Sequence, residues 1–269
     1  QYMSNVRIGY LYRDNIDIDD KDIVIGMLQS ICLKDYDSVL FDSFNMVIFD
    51  EAHHLGAKVF SRSLTKIQTC YTLGLTATPI RKDKLESVYY SFLGPSMYYE
   101  GADVDSHVVV NMIQFTPLKD SVLFKPCYIF NGKQFNFAKM VSNLTMYDER
   151  NDFIIKIIEQ IFPTIPEGNE NDRKVLLLSD RTHKIQHLKN LQDKLIERND
   201  AWKELTGLYT GGMKQNDLLI SKTKPVILAT FNIAAEALDI PGLDTLILAT
   251  PQTDVTQAVG RILRTEKHK

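Results

Sequence analysis

Short apolar runs of strand length recur along the chain, each followed by a turn signal or by a stretch with helical spacing. Residues 22–27, 46–49 and 71–76 form an early set, and residues 174–179, 225–229 and 245–249 a later one. Continuous hydrophobicity without alternation predicts strands covered on both faces, as in a parallel sheet flanked by helices. Helical periodicity lies between them. Phe153, Ile154, Ile157, Ile158 and Ile161 make an i, i+3, i+4 stripe within 150–162, and Ile185, Leu188, Leu191 and Leu195 face one way within 182–198. Strand and helix in alternation predict an α/β layered fold.

A different stretch, about 107–147, separates the two sets. It opens with an expected strand at 107–115 and then becomes aromatic and irregular through Phe124, Tyr128, Phe130, Phe135 and Phe137. Residues 163–173 are rich in Pro, Glu, Asn and Gly and read as a surface loop. The boundary between two α/β lobes is therefore expected near Tyr147.

With 269 residues, 44% of them hydrophobic, the chain can bury one large core or two medium ones. No apolar run approaches the roughly 20 residues that cross a bilayer, so no membrane partner is expected. Residues 1–10 lack the basic start and apolar stretch of a secretory signal. Cys32, Cys70 and Cys127 have neither metal-ligand spacing nor a disulfide framework, and read as reduced thiols inside a cell. A net charge of −3 does not select nucleic acid, but gripping phosphates needs local basic surface, not a basic whole.

The candidate chemistry begins at Asp50-Glu51-Ala52-His53, directly after the apolar run Met46–Phe49. In an open parallel sheet, ligands bind beyond the carboxyl ends of the strands. That position suits a carboxylate that holds Mg²⁺ through water, with its neighbour activating an attacking water. A solvated acidic turn is the competing reading. A zinc site at His53 and His54 is disfavoured, because adjacent histidines point apart and no further ligand completes it. Thr76 and Thr78 supply hydroxyls at the end of the next strand. Near the chain's end, Gln257, Arg261 and Arg264 would share one helical face, the arrangement that neutralises charge on a transferring phosphate; a solvated basic helix end is the alternative.

These strings, in this order, resemble superfamily 2 helicases of the DEAD/DEAH-like kind. Asp50 to His53 matches motif II, Thr76-Ala77-Thr78 motif III, and Gln257 to Arg264 motif VI. Ala229-Thr230 through Asp239 to Asp244 resembles motif V, and Ser179-Asp180-Arg181 ends a strand where motif IV sits. Gln29-Ser30 looks like the Thr-x-x-Ser element ahead of motif II, with Met27 in place of its Thr. Within the superfamily the resemblance points to the xeroderma-pigmentosum-B type and its relatives in nucleo-cytoplasmic large DNA viruses. It rests on the doubled histidine His53-His54, the string from Ala237 to Asp244, residues 245–251 and the turn from Tyr209 to Lys214. Arg81-Lys82-Asp83 lies where that type carries an Arg-Glu-Asp triplet linked to strand separation; Lys82 departs from it.

The resemblance implies two RecA-like lobes with mainly parallel sheets flanked by helices, the first incomplete at its N-terminus. Residues 1–115 would be the C-terminal part of lobe 1, 116–147 a connecting or inserted segment, and 148–269 lobe 2, short of its last strand. It implies ATP and Mg²⁺ as cofactors and an ATP-dependent helicase or translocase as the parent activity. Asp50 would position Mg²⁺ through water, Glu51 would be the general base, and Arg261, Arg264 and Gln257 would serve the γ-phosphate. His53, Thr76, Thr78 and Asp239 would couple nucleotide state to lobe movement. Gln29, Ser30, Arg181, Thr230 and Arg81 would contact nucleic acid, DNA rather than RNA, and the aromatic stretch 124–137 is either a base-stacking wedge or a small hydrophobic cluster. Transcription or replication machinery are the implied partners. The implied location is intracellular: nucleus, cytoplasmic viral factory or virion.

One element of such a motor is missing. No window provides the Gly-x-x-x-x-Gly-Lys-Ser/Thr loop that cradles phosphates with backbone N–H groups and a lysine. Gly132-Lys133 is followed by Gln134, and Lys214 by Gln215. The alternative is therefore a non-catalytic binding or structural component built on a degenerate motor; a third option is the helicase half of a restriction or repair nuclease. For these 269 residues by themselves, titration calorimetry with ATP and Mg²⁺ should show no binding at micromolar levels; a clear signal would contradict that reading.

Overall fold

The computed structural model describes residues 5–81, 83–99, 109–117, 121–129, 132–163, 173–180, 186–233, 240–253, 255 and 258–260. The chain divides into two compact units, Gln1–Asp103 and Val104–Lys269.

In the first unit, β1 (Ile8–Tyr12) and β2 (Asn15–Asp17) form a tight antiparallel hairpin, and β1 pairs in parallel with β3 (Ile23–Gly26). Next come α1 (Leu28–Leu33), β4 (Met46–Phe49), α2 (Arg62–Lys66), β5 (Tyr71–Gly74) and α3 (Glu86–Leu93). β4 and β5 pair in parallel as a second small sheet. Alternate side chains turn inward. Leu11, Ile31 and Phe41 form one cluster; Phe49, Ala52, Leu55, Leu64 and Tyr89 form another, with Val47 against it.

The other set stays bare. Ile8, Tyr10 and Tyr12 on β1, Ile23 and Ile25 on β3, and Met46 and Ile48 on β4 are all exposed, Ile48 to 56%. This differs from the expectation that the early strands are covered on both faces. Among the described residues this unit has three α-helices of eight residues or fewer, and their apolar side chains pack into the two clusters.

The second unit meets the expectation. Its elements are α4 (Phe137–Thr145), α5 (Asp148–Ile161), β6 (Lys174–Leu178), α6 (His187–Arg198), α7 (Trp202–Leu205), β7 (Thr206–Tyr209), α8 (Gln215–Thr223), β8 (Val226–Ala229) and β9 (Leu243–Leu248). The strands form one wholly parallel sheet in the order β7-β8-β6-β9. Every residue of β8 and all but the first of β6 are buried. Val175, Leu177, Val226 and Leu228 pack against α5, α6 and Trp202 on one face. Leu176, Leu178, Ile227 and Ala229 pack with Tyr209, Phe231 and Ile240 on the other.

The strand expected at 107–115 does not form over its described residues, 109–115. Val109, Val110 and Met112 are almost fully exposed and no neighbouring strand takes up their backbone. Phe115 is where the chain packs again, against Phe124, Tyr147 and Phe153, with ring centroids 5.6–6.0 Å away. Tyr147 is buried in this cluster.

A buried polar chain ties the start of α5 to the carboxyl end of β6. Asn151 Nδ2 donates to the Thr145 carbonyl at 2.9 Å, so its Oδ1 faces His187 Nε2 at 3.0 Å. The network therefore places the imidazole proton on Nε2, and Nδ1 accepts from the Ser179 hydroxyl at 2.8 Å. Burial holds the His187 imidazole down to about 4, with the positive charge of Arg150 adding to the effect. Between that value and the ordinary 6.5 the unfolded chain binds a proton that the folded chain excludes, so stability falls as pH falls. From pH 6.5 to 5 the loss should be about 2 kcal/mol, with no contribution above about 7. Trp202 is the single tryptophan and is buried in this core, so urea unfolding followed by its fluorescence reads the second unit directly. A midpoint independent of pH between 5 and 7, or an unchanged pH slope in His187→Gln, would contradict the assignment.

Candidate active site

The parallel pairing of β4 with β5 continues past both strands. Leu75 N–H donates to the Phe49 carbonyl at 2.9 Å and Ala52 N–H donates to the Leu75 carbonyl at 2.8 Å. These two bonds lay the acidic loop 50–53 alongside the threonine loop 75–78. Asp50 is exposed just beyond the strand end, and its Oδ1 accepts from Glu51 N–H at 2.9 Å. Glu51 adopts a left-handed conformation, φ 48° and ψ 48°, which bends the chain from β4 into the helical turn Ala52–Gly56.

His53 is the hub. Its Nδ1 lies 2.9 Å from Thr76 Oγ1, 3.4 Å from Thr78 Oγ1 and 3.2 Å from Glu51 Oε2. Thr76 Oγ1 also accepts from Thr78 N–H at 3.1 Å, which fixes the Thr76–Thr78 turn. The Glu51 oxygen is buried and has ion-pair proximity to His53 without hydrogen-bond geometry, so the contact orients the carboxylate while leaving an acceptor site unused. The rest of the Glu51 side chain is open to water, at 43% exposure.

Arg81 braces the same loop from behind. Its Nη1 donates to the His53 carbonyl, while Nε and Nη2 form a fork with Asp83 at 2.8 and 2.5 Å. The Asp83 carboxylate holds the Arg81 guanidinium above its ordinary pKa, and the same bonds hold Asp83 below the usual carboxylate range. Asp83 Oδ1 also accepts from Leu85 N–H at 3.2 Å, at the start of α3. Gly56 has to be glycine here, since a Cβ would lie 2.9 Å from both Arg81 Cδ and the Leu85 carbonyl oxygen. From α3, the Tyr89 hydroxyl donates to the Pro79 carbonyl, and burial pushes its pKa up to about 12.

Asp50, Glu51, His53, Thr76, Thr78 and Arg81 thus come together, Arg81 as a strut of the loop. Ser30, expected at nucleic acid, is buried, and its Oγ accepts from Arg13 N–H at 2.9 Å, holding the β1–β2 turn; its neighbour Gln29 is exposed on α1. Thr230 lies directly after β8 and is half-buried. Arg181, Asp239, Gln257, Arg261 and Arg264 lie outside the described residues. Among the described residues no group of three or more His, Cys, Asp or Glu side chains could hold a metal. The Asn151–His187–Ser179 chain and Arg150, which donates to the Ala249 carbonyl at 2.6 Å beyond β9, had no signal in the sequence.

The structure thus combines a RecA-like α/β fold with an acidic strand-end loop held against a threonine loop. The family described as Type III restriction enzyme, res subunit, matches residues 1–81. A protein of Acanthamoeba polyphaga mimivirus named as an ATP-dependent RNA helicase, L396, is 34% identical over 249 residues, covering 91% of this chain and 45% of that protein. The DNA 3'-5' translocase XPB2 of Sulfurisphaera tokodaii is 35% identical over 82 residues, 28% of this chain and 19% of that protein. Among solved structures, a fragment titled as an HsdR subunit of a type I restriction enzyme from Vibrio vulnificus YJ016 superposes with a TM-score of 0.59. At 17% identity, over 95% of this chain and 49% of that one, the likeness is one of fold. The chain is similar in sequence to superfamily 2 helicase-like proteins and shares their fold. It spans about half the length of the curated relatives it matches along most of its length.

The left-handed backbone at Glu51 has a measurable cost. A residue with a Cβ pays roughly 1–2 kcal/mol in that region, and glycine gives back part of the gain through its freer unfolded chain. Glu51→Gly should therefore be about 0.5–1 kcal/mol more stable than Glu51→Ala by differential scanning calorimetry. An alanine variant as stable as the glycine variant would show that the bend is not strained.

Proposed function

We propose that the whole protein is an ATP-driven motor that moves along or remodels DNA, with hydrolysis at the loop that follows β4. The observation that carries this reading is His53 Nδ1, within 3.4 Å of Glu51, Thr76 and Thr78 at once. That contact joins the acidic pair to the end of the neighbouring strand.

Asp50 is a single exposed carboxylate at a strand end, and one of its oxygens is already oriented by Glu51 N–H. That donor set fits Mg²⁺, which keeps most of its waters and takes one or two carboxylates together with substrate phosphates. When bound, the ion would neutralise charge on the phosphates. Glu51, aligned by His53 and partly open to water, would take the proton from the attacking water. Movement of Thr76 and Thr78 would displace the His53 ring and with it the Glu51 carboxylate, so the loop can report nucleotide state. The arginines at 261 and 264, with Gln257, would supply the charge that opposes the γ-phosphate. DNA is proposed as the track on the earlier resemblance, and the archaeal relative is named as a DNA translocase.

In the full-length protein, Glu51→Gln should keep ATP affinity and lower turnover by about 10²–10⁴-fold, the usual contribution of a positioned acid–base group. ATPase assays with DNA and RNA, run beside nucleotide-binding measurements, check this. Near-unaltered turnover in Glu51→Gln would remove Glu51 from the role of base. A full-length protein with no ATPase on any nucleic acid would favour the non-catalytic reading.

A further inference from the structure

The aromatic stretch 124–137 separates into two groups. Phe124 turns inward, 4.9 Å from the buried Tyr147 ring and 6.0 Å from Phe115. Tyr128, Phe135 and Phe137 do the opposite. Tyr128 and Phe135 are directly opposed across an antiparallel bridge, with rings stacked 5.1 Å apart and 27° from parallel. Phe137 continues the row 6.0 Å beyond Phe135. The three rings are 52%, 48% and 69% exposed, so the row presents its outer surface to solvent.

The row stands on a fixed base. Ile129 N–H donates to the Gln134 carbonyl at 2.9 Å and Asn136 N–H to the Cys127 carbonyl at 2.7 Å, which closes a hairpin. Asn136 Oδ1 accepts from Lys139 N–H at 3.0 Å and caps α4, so Phe137 sits on the first turn of a capped helix. Asn143, further along α4, donates to Cys127 Sγ at 3.4 Å and ties the hairpin to the helix. Side chains ordered in this way lose little freedom on binding, which favours a recognition surface over a loose apolar tip.

Charge identifies the ligand. The chain as a whole carries −3, yet residues 121–147 contain Lys125, Lys133 and Lys139 and no acidic residue. All three lysines are exposed and lie within a few residues of the rings in sequence. Rings spaced at stacking distance and flanked by cations match what unpaired bases and their phosphates need: a π-face for each base and a positive border for the backbone.

We propose that Tyr128, Phe135 and Phe137, bordered by Lys125, Lys133 and Lys139, form a stacking platform for the bases of single-stranded nucleic acid. This rests on the motor reading above and adds where an unpaired strand is held. The platform reads no sequence, because every base offers a π-face. A base on the outer face of the row continues the Tyr128–Phe135 stack, and a duplex end with its bases already paired offers little to it.

The test uses the full-length protein, labelled oligo-deoxythymidine, oligo-uridine and a blunt duplex, followed by fluorescence anisotropy. Phe135→Ala and Phe137→Ala should each weaken binding of both single strands about tenfold and leave the duplex unchanged. Replacing Lys125, Lys133 and Lys139 with Gln should reduce the salt dependence of single-strand binding, by about 2 in logarithmic slope. Phe135→Trp keeps the ring, should retain affinity, and should show fluorescence quenched by the oligonucleotide, a readout that does not depend on alanine variants folding. Unchanged single-strand affinity in folded alanine variants, or no quenching in Phe135→Trp, would overturn the platform while leaving the motor reading intact. Alanine variants that instead lose self-association or a bound protein would also overturn it, by showing the rings to be a protein contact. An unaltered protein that binds no nucleic acid would overturn both.

Discussion

The site depends on one register: Phe49 on β4 opposite Gly74 on β5. Parallel strands deliver their loops at the same edge, so this pairing alone decides that the residues after Phe49 meet those after Gly74. A slip of one residue would turn Phe49 out of the Ala52–Leu55–Tyr89 cluster and move His53 out of reach of Thr76. The two further backbone bonds, at Leu75 and Ala52, carry the ladder beyond the strands and convert a pairing rule into a fixed distance between an imidazole and two hydroxyls. The acidic loop is then bent sharply at Glu51. Backbone held in a sparsely populated region persists only when its surroundings over-determine it, and here Arg81, Gly56 and the Asp50 carboxylate all do so.

The two units solve the burial of a parallel sheet differently. In the second, apolar layers lie on both faces and β6 and β8 are closed to water. Closure on both faces leaves the polar backbone ends at the strand termini, and the Ser179–His187–Asn151 chain satisfies the groups that burial would otherwise strand. In the first, every second side chain of β1, β3 and β4 is apolar and bare. The sequence pattern is equally hydrophobic in both units, so pattern alone reports what a strand can bury, not what is present to bury it.

That distinction sets how much was legible in advance. β4 is the residue range read from the sequence, and β3, β5, β6, β8 and β9 lie within two residues of their expected limits, because fully apolar runs of strand length admit few alternatives. The run at 107–115 is as apolar as these and yet forms no strand at 109–115, since a strand exists only with a neighbour to take its hydrogen bonds. At the site, Asp50, Glu51, His53, Thr76 and Thr78 were legible because each lies within a few residues of a strand end. Ser30 and Arg81, expected at nucleic acid, have intramolecular partners that the sequence does not announce, Arg13 for the one and Asp83 with the His53 carbonyl for the other, since these are matters of tertiary geometry. The hairpin at 128–135 carried a local signal that went unread, the Asn131-Gly132 pair, with Gly132 at φ 66°.

Arg81 shows why a side chain's type does not fix its role. An arginine after the threonine loop invites a phosphate, since its fork matches that geometry. Here the fork is occupied by Asp83, and the remaining donor holds the carbonyl of the residue whose ring meets Glu51, Thr76 and Thr78. A phosphate could recruit Arg81 only by displacing a carboxylate in a two-point, charge-assisted contact that also anchors the start of α3.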